Sequence, residues 1–141
     1  MSTFTKDGIE YVCAEQWMMA EKARLFGDEE TLELILADPK PRNQKNLGRM
    51  VRGFDEETWK SHRSGIVEEG SYLKFSQNDE LKEALLATGD LELVEASPYD
   101  KIWGIGLKPD DRRARSKSNW KGMNLLGKAL MVARDRIREE G

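Results

Sequence analysis

Glu15 and Lys22 stand seven residues apart in a stretch, Glu15 to Phe26, that reads as a single helix. At about 3.6 residues per turn this spacing puts a carboxylate and an amine on one face, two turns apart. Glu15 falls among the first helical residues, where the helix dipole favours an anion. Such a face can carry acid–base chemistry, and it is equally the pattern of a solvated face shared with Gln16, Glu21 and Arg24.

A second group of residues suits phosphate. From Pro39 to Arg52 the chain carries Lys40, Arg42, Lys45, Arg49 and Arg52 with no acidic residue. Guanidinium groups hold phosphate oxygens bidentately, so the stretch is a candidate anion surface; the plainer reading is a helix that balances the acidic one before it. Gly48 beside Arg49 would let a ligand approach the backbone.

The third group is aromatic. Trp59, Trp103 and Trp120 lie on separate elements. Trp59, in helical step with Ile66 and Leu73, reads first as packing. Trp103 lies between Asp100 and Gly104-Ile105-Gly106, where its ring can stack on a base while the glycines leave room. Asp100, after Ser97-Pro98-Tyr99, offers its carboxylate either to a ligand or to a local turn. Gly104 and Gly106 make no dinucleotide fingerprint, because the third glycine and the following helix are missing.

These residues need elements to hold them. A turn at Asp7-Gly8 leads to a short strand from Ile9 to Val12 and then to the first helix, stopped by Gly27. Asp28 caps a second helix that ends at Pro39, and Pro41 opens a third through Val51. Asp55 caps a long helix towards Phe75, marked by Trp59, His62, Ile66, Gly70 and Leu73. Asn78 caps a helix from Asp79 to Thr88. Alternation at Leu91–Glu95 and again at Ile102–Leu107 predicts two strands. Lys108 to Lys121 reads as a long mobile loop, and Asn124 caps a last helix with a stripe of Leu126, Leu130, Ala133 and Ile137. The class is α+β, predominantly helical with a small sheet.

Composition removes several alternatives. The chain has 141 residues and a net charge of −3, from 23 basic and 26 acidic side chains, so any anion site is local. His62 is the only histidine and Cys13 the only cysteine. A histidine-rich or multi-cysteine metal site cannot be built in one chain, and none is expected. No apolar run is long enough to span a membrane, and the start lacks the form of a secretory signal. The lone cysteine suits a reducing cytoplasm. Met18 and Met19 read as adaptable core residues and Cys13 as buried and inert.

Taken in order, the segments Glu15-Gln16, Met19, Lys22-Ala23, Gly48-Arg49, Trp59, Lys74-Phe75, Gln77-Asn78 and Thr88-Gly89 resemble the YbiA-like, or NADAR, family. The match continues through Leu93-Val94-Glu95-Ala96-Ser97, Asp100, Trp103-Gly104-Ile105-Gly106, Trp120, Gly122, Asn124, Leu126-Gly127 and Leu130-Met131. It covers about Tyr11 to Arg134, within one domain over residues 1–141. The family opens with a strand and a Phe/Ser-rich segment ahead of the turn matching Asp7-Gly8. The chain starts too late to contain that segment, so the expected domain lacks the opening strand.

The resemblance implies N-glycosidase activity without a cofactor. Two substrate classes go with it: ribosylamino-pyrimidine intermediates of riboflavin synthesis, and ADP-ribose attached to guanine, free or in nucleic acid. It implies that Glu15, Lys22 and Asp100 are catalytic. Glu15 or Asp100 would face the ribose, and Lys22 would attack the anomeric carbon or pair with Glu15. Arg49, helped by Lys45 or Lys74, would hold phosphate. Trp59 and Trp103 would flank the base or adenine, with Gly48, Asn78 and Gly104 completing the binding set. The alternative from another class is an ADP-ribose or nucleotide-binding module that no longer turns over. The basic residues Arg112, Arg113, Arg115, Lys117 and Lys121 leave a nucleic-acid substrate open, and the oligomeric state is not readable.

Overall fold

A computed structural model describes residues 3–140. It begins with an antiparallel hairpin. Strand β1 (Phe4–Lys6) pairs with β2 (Ile9–Tyr11), Phe4 opposite Tyr11. Asp7 and Gly8 supply the two-residue turn, with φ of 52° and 79°, and this type of turn calls for residues that tolerate the left-handed region. The sequence places its first strand after the turn; a second one, β1, lies ahead of it. What holds the hairpin down is aromatic. Phe4 and Tyr11 are buried and stacked with centroids 5.6 Å apart, and Trp17 meets Tyr11 edge-on at 5.1 Å.

Helix α1 (Ala14–Leu25) follows and is the hub, packed against α2 (Glu29–Ala37), α3 (Pro41–Gly48) and α4 (Glu56–Ser76). Gln16, grouped with a solvated face in the sequence reading, is in the core. Its Oε1 accepts from the Val12 N–H at 2.8 Å and its Nε2 donates to the Ile35 carbonyl at 3.1 Å, tying the entry of α1 to α2. Two glycines set how closely the neighbours approach. A Cβ on Gly48 would collide with Met19 Sδ, and one on Gly70 with the Trp17 ring. Helix α4 also packs on α5 (Asp79–Ala87) and α6 (Leu125–Glu140).

The caps at Asp28 and Asp55 form as expected, accepting from Thr31 N at 3.1 Å and Thr58 N at 3.0 Å. Asn78 does not cap α5: its Nδ2 donates back to Lys74 O at 2.6 Å and across to Thr3 O at 3.0 Å. Helix α3 ends at Gly48, short of Val51. His62 is exposed, so the inward face of α4 runs instead through Arg63, Gly70, Ser71 and Leu73.

The two strands expected at Leu91–Glu95 and Ile102–Leu107 are absent; β1–β2 is the whole sheet among the described residues. The side-chain amide of Asn124 takes the place of a strand partner. Buried at 1 % exposure, it accepts from Glu95 N at 2.9 Å and donates to Leu93 O at 3.0 Å. Spent in this way, Asn124 cannot cap α6 with its side chain. The first N–H groups of that helix are met by carbonyls instead, Leu125 by Ile102 and Leu126 by Trp103. The basic segment after Lys108 is not a bare loop. It forms 3-10 turns at Arg112–Arg115 and Lys117–Asn119, with the Trp120 indole donating to Ala114 O at 2.8 Å. The class is as expected, predominantly helical α+β with one small sheet. Among the described residues no helix is long and apolar enough to cross a membrane.

Candidate active site

A cleft of about 240 Å³ opens between α1, α4, the start of α6 and the Asp100–Trp103 loop. Its walls are mostly apolar: Trp17, Met18, Val67, Trp103 and Leu126. Glu15, Ser71 and Asp100 bring hydrogen-bonding groups to it. Trp17 cannot add one, because its indole N–H is committed to Ile66 O at 2.8 Å. Asp100 makes the local turn considered from sequence and also lines the cleft. Its Oδ1 accepts from Ile102 N at 3.0 Å and Trp103 N at 2.8 Å, closing a local turn that orients the carboxylate in the cleft wall. The carbonyl of Trp103 in turn receives the Leu126 N–H at 3.1 Å, so the loop is fastened to the head of α6.

Two turns along α1 from Glu15, Lys22 lies against aromatic rings. Its Nζ is 4.6 Å from the Phe54 centroid and 5.4 Å from that of Trp59. Trp59 thus meets Lys22 and does not line the cleft. Phe54, in the loop between α3 and α4, was missed by the sequence reading, and so were Trp17 and Ser71. Phe54 could have been found only by its place just ahead of the Asp55 cap.

Charge ties the two ends together. Burial raises the Glu15 carboxyl above its ordinary value, against the pull of Lys45 and Lys22. Burial lowers the Lys22 ammonium; Arg49 pushes the same way, while Glu56 and Glu15 oppose. Neither Glu15 nor Lys22 is in an ion pair among the described residues. Lys45 and Arg49 are exposed on α3 and its C-terminal cap, one acting on Glu15 and the other on Lys22. An acid inclined to keep its proton and an amine inclined to lose its own thus share one helix face, with two cations alongside.

The model of the NADAR domain matches residues 1–138. The chain belongs to the NADAR family. Its NADAR relatives include an N-glycosidase of Acanthamoeba polyphaga mimivirus, 51 % identical over 131 residues, which are 93 % of this chain and 75 % of that protein. An N-glycosidase of Nostoc punctiforme is 32 % identical over 97 % of this chain and 84 % of its own length. The N-glycosidase YbiA of Escherichia coli is 30 % identical over 95 % and 75 %. The NMR structure of E. coli YbiA superposes with a TM-score of 0.78 at 29 % identity, covering 98 % of this chain and 74 % of that one. The NADAR fold is thus shared in sequence and in shape.

The other residues singled out from sequence fall outside this arrangement. Gly48 is buried under Met19 and Gly104 under the Asp100 and Glu95 carbonyls, so both glycines are filled by their own chain and neither offers an open backbone. The Asn78 amide is used up joining Thr3 to the end of α4. Lys74 lies one turn beyond Gly70 and Ser71 and does not line the cleft. Cys13 is half-buried and donates to Gln44 Oε1 at 3.1 Å. Among the described residues no group of three or more His, Cys, Asp or Glu is placed to hold a metal. A larger cleft of about 510 Å³ lies on the other side of Trp17 and collects none of the candidate catalytic residues. Its cations are already neutralised, Lys6 by Glu69 at 3.1 Å and Arg24 by Glu21 at 2.5 Å.

Proposed function

We propose that this protein is an N-glycosidase that cleaves the bond between a phosphorylated ribose, or ADP-ribose, and a nitrogen base. The observation that carries the reading is the Glu15–Lys22 pair: one face, both partly buried, neither in an ion pair, with protonation pushed in opposite directions. Breaking a ribosyl C–N bond leaves positive charge on the sugar and negative charge on the base. A protonated carboxyl answers the second need and a neutral amine the first.

In this reading Lys22 Nζ attacks C1′ as the C1′–N bond breaks, and Glu15 gives its proton to the departing nitrogen. The Glu15 carboxylate then takes a proton from the substituted amine. Ring opening yields a Schiff base, and water adds to it, releasing the sugar phosphate and restoring Lys22. The net reaction consumes one water and needs no metal or cofactor. Lys45 and Arg49 sit where they can draw in the phosphate. Trp103 and Trp17 bound the base, and Asp100 meets its edge. The lone Cys13 suits a reducing cytoplasm.

Borohydride reduction during turnover, followed by peptide mapping, tests the covalent step. A ribose phosphate adduct on Lys22 is expected. Turnover with no adduct on any lysine would leave Lys22 as a charge partner of Glu15 and make water the nucleophile.

One observation favours a polymeric substrate over a free one. Lys101, Arg112, Arg115 and Lys121 are exposed and unpaired among the described residues, and Lys121 N is held by Ile105 O at 2.8 Å beside the cleft loop. Tyr99, next to Asp100, is 93 % exposed, a ring on which a base can stack. Binding of modified single strands that weakens steeply with salt would support this, and a flat salt dependence would restrict the enzyme to small substrates.

A further inference from the structure

Ser71 is the one neutral hydroxyl in the cleft wall. It is 7 % exposed, flanked by Gly70 and one turn from Val67. Ser61 and Ser76 on the same helix bond back to the carbonyls of Thr58 and Leu73. Among the described residues Ser71 makes no such bond and has no hydrogen-bond partner, yet its hydroxyl oxygen is not sealed off from the cleft. A buried hydroxyl without a partner is costly in an apolar wall unless something in the cleft meets it. Facing the same space is Asp100, whose Oδ1 is fixed by two N–H groups while Oδ2 takes no hydrogen bond among the described residues.

We propose that Ser71 selects the departing base, donating to an exocyclic carbonyl oxygen while Asp100 accepts from the neighbouring ring N–H. Together they match a lactam edge, the donor-and-acceptor pair of an oxo-purine or oxo-pyrimidine. A base with an amino group beside an unprotonated ring nitrogen presents the reverse pattern, and it would leave the Asp100 carboxylate against a lone pair. The inference rests on the N-glycosidase reading and adds to it the side chain that reads the carbonyl of the base. Ser71 is a positioning residue, since the reaction proper involves Lys22 and Glu15.

The test compares two ADP-ribosyl substrates, one carrying guanine and one carrying 2-aminopurine, which lacks the carbonyl. Base release is followed for the wild type, Ser71→Ala and Ser71→Thr. Wild type is expected to prefer guanine, and Ser71→Ala to lose about tenfold in kcat/KM on guanine with little change on 2-aminopurine, as one neutral hydrogen bond predicts. Ser71→Thr keeps the hydroxyl and is expected to retain the preference. Equal losses on both substrates, or a preference for guanine that Ser71→Ala does not reduce, would overturn the role of Ser71 while leaving the N-glycosidase reading intact. Wild type releasing neither base would overturn both.

Discussion

The Lys22 ammonium lies 4.6 Å from the centre of the Phe54 ring, with Trp59 on a second side at 5.4 Å. Burial is the main cause of its lowered pKa, so removing a wall must raise it. If neutral Lys22 is the nucleophile, the rate climbs as it loses its proton. Phe54→Ala is therefore expected to shift the rising limb of the kcat/KM profile to higher pH and to slow turnover near neutrality, while Phe54→Tyr leaves the limb in place. A limb unmoved by Phe54→Ala would mean that Lys22 does not titrate in the reaction.

Function and stability should pull apart at α1. The folded-state pKa of Glu15 is raised, so its contribution is complete in acid and is lost as pH rises through the folded value. The pKa of Lys22 is lowered, so its contribution is complete above the ordinary lysine value and is lost as pH falls through the folded value. At neutral pH the charged forms of both therefore cost stability. Glu15→Gln and Lys22→Met are expected to raise the melting temperature at pH 7, each adding about 1 kcal/mol of stability or less because both sites are partly solvated, while removing activity. Melting curves at pH 7 decide this; variants less stable than wild type would show that the pair holds the fold together.

Gly70 governs the wall that Trp17 presents to the cleft. The Cβ of Gly70→Ala would push into the Trp17 ring, whose indole is pinned to Ile66 O. Overpacking of this kind costs about 1–3 kcal/mol, and displacement of the ring should raise KM more than it lowers kcat. Denaturant unfolding and steady-state kinetics on the one variant measure both. Unchanged stability would mean that α1 and α4 have room to separate.

Acid stability should rest on a different pair. Arg52, through its side chain and its backbone N–H, with Thr31, holds the buried Asp28 carboxyl far below the usual carboxylate range. This contribution is present above the ordinary value of 3.8 and is lost as pH falls towards the folded one. Asp28→Asn is expected to lower the melting temperature at pH 7 and to flatten its fall below about pH 4. An unaltered acid limb would place the acid-sensitive group elsewhere.

How far the sequence could be read depended on where each residue's partner lay. The caps at Asp28 and Asp55 act within three residues, and both were legible. The strands expected at Leu91–Glu95 and Ile102–Leu107 are absent because distant groups satisfy their backbones: the Asn124 amide takes up Leu93 and Glu95, and the N–H groups of Lys121 and Asn124 to Leu126 meet carbonyls of the second segment. Glu15, Lys22, Asp100 and Trp103 stood out by residue type and by family likeness. Phe54 did not, since a lone aromatic in a Gly-Phe-Asp loop looks the same whether it faces water or a lysine. Ser71 was hidden for a similar reason: only the α1–α4 packing turns it into a cleft.

The central claim is base release by Glu15 and Lys22. The most direct measurement is mass spectrometry of free base and free sugar phosphate after incubation with ADP-ribosylated guanine and with a ribosylamino-pyrimidine phosphate, for wild type, Glu15→Gln and Lys22→Met. Wild type is expected to release base from at least one substrate, and both variants to release at least a hundredfold less. Wild type that binds these compounds without releasing base, or a Lys22→Met variant as fast as wild type, would contradict it.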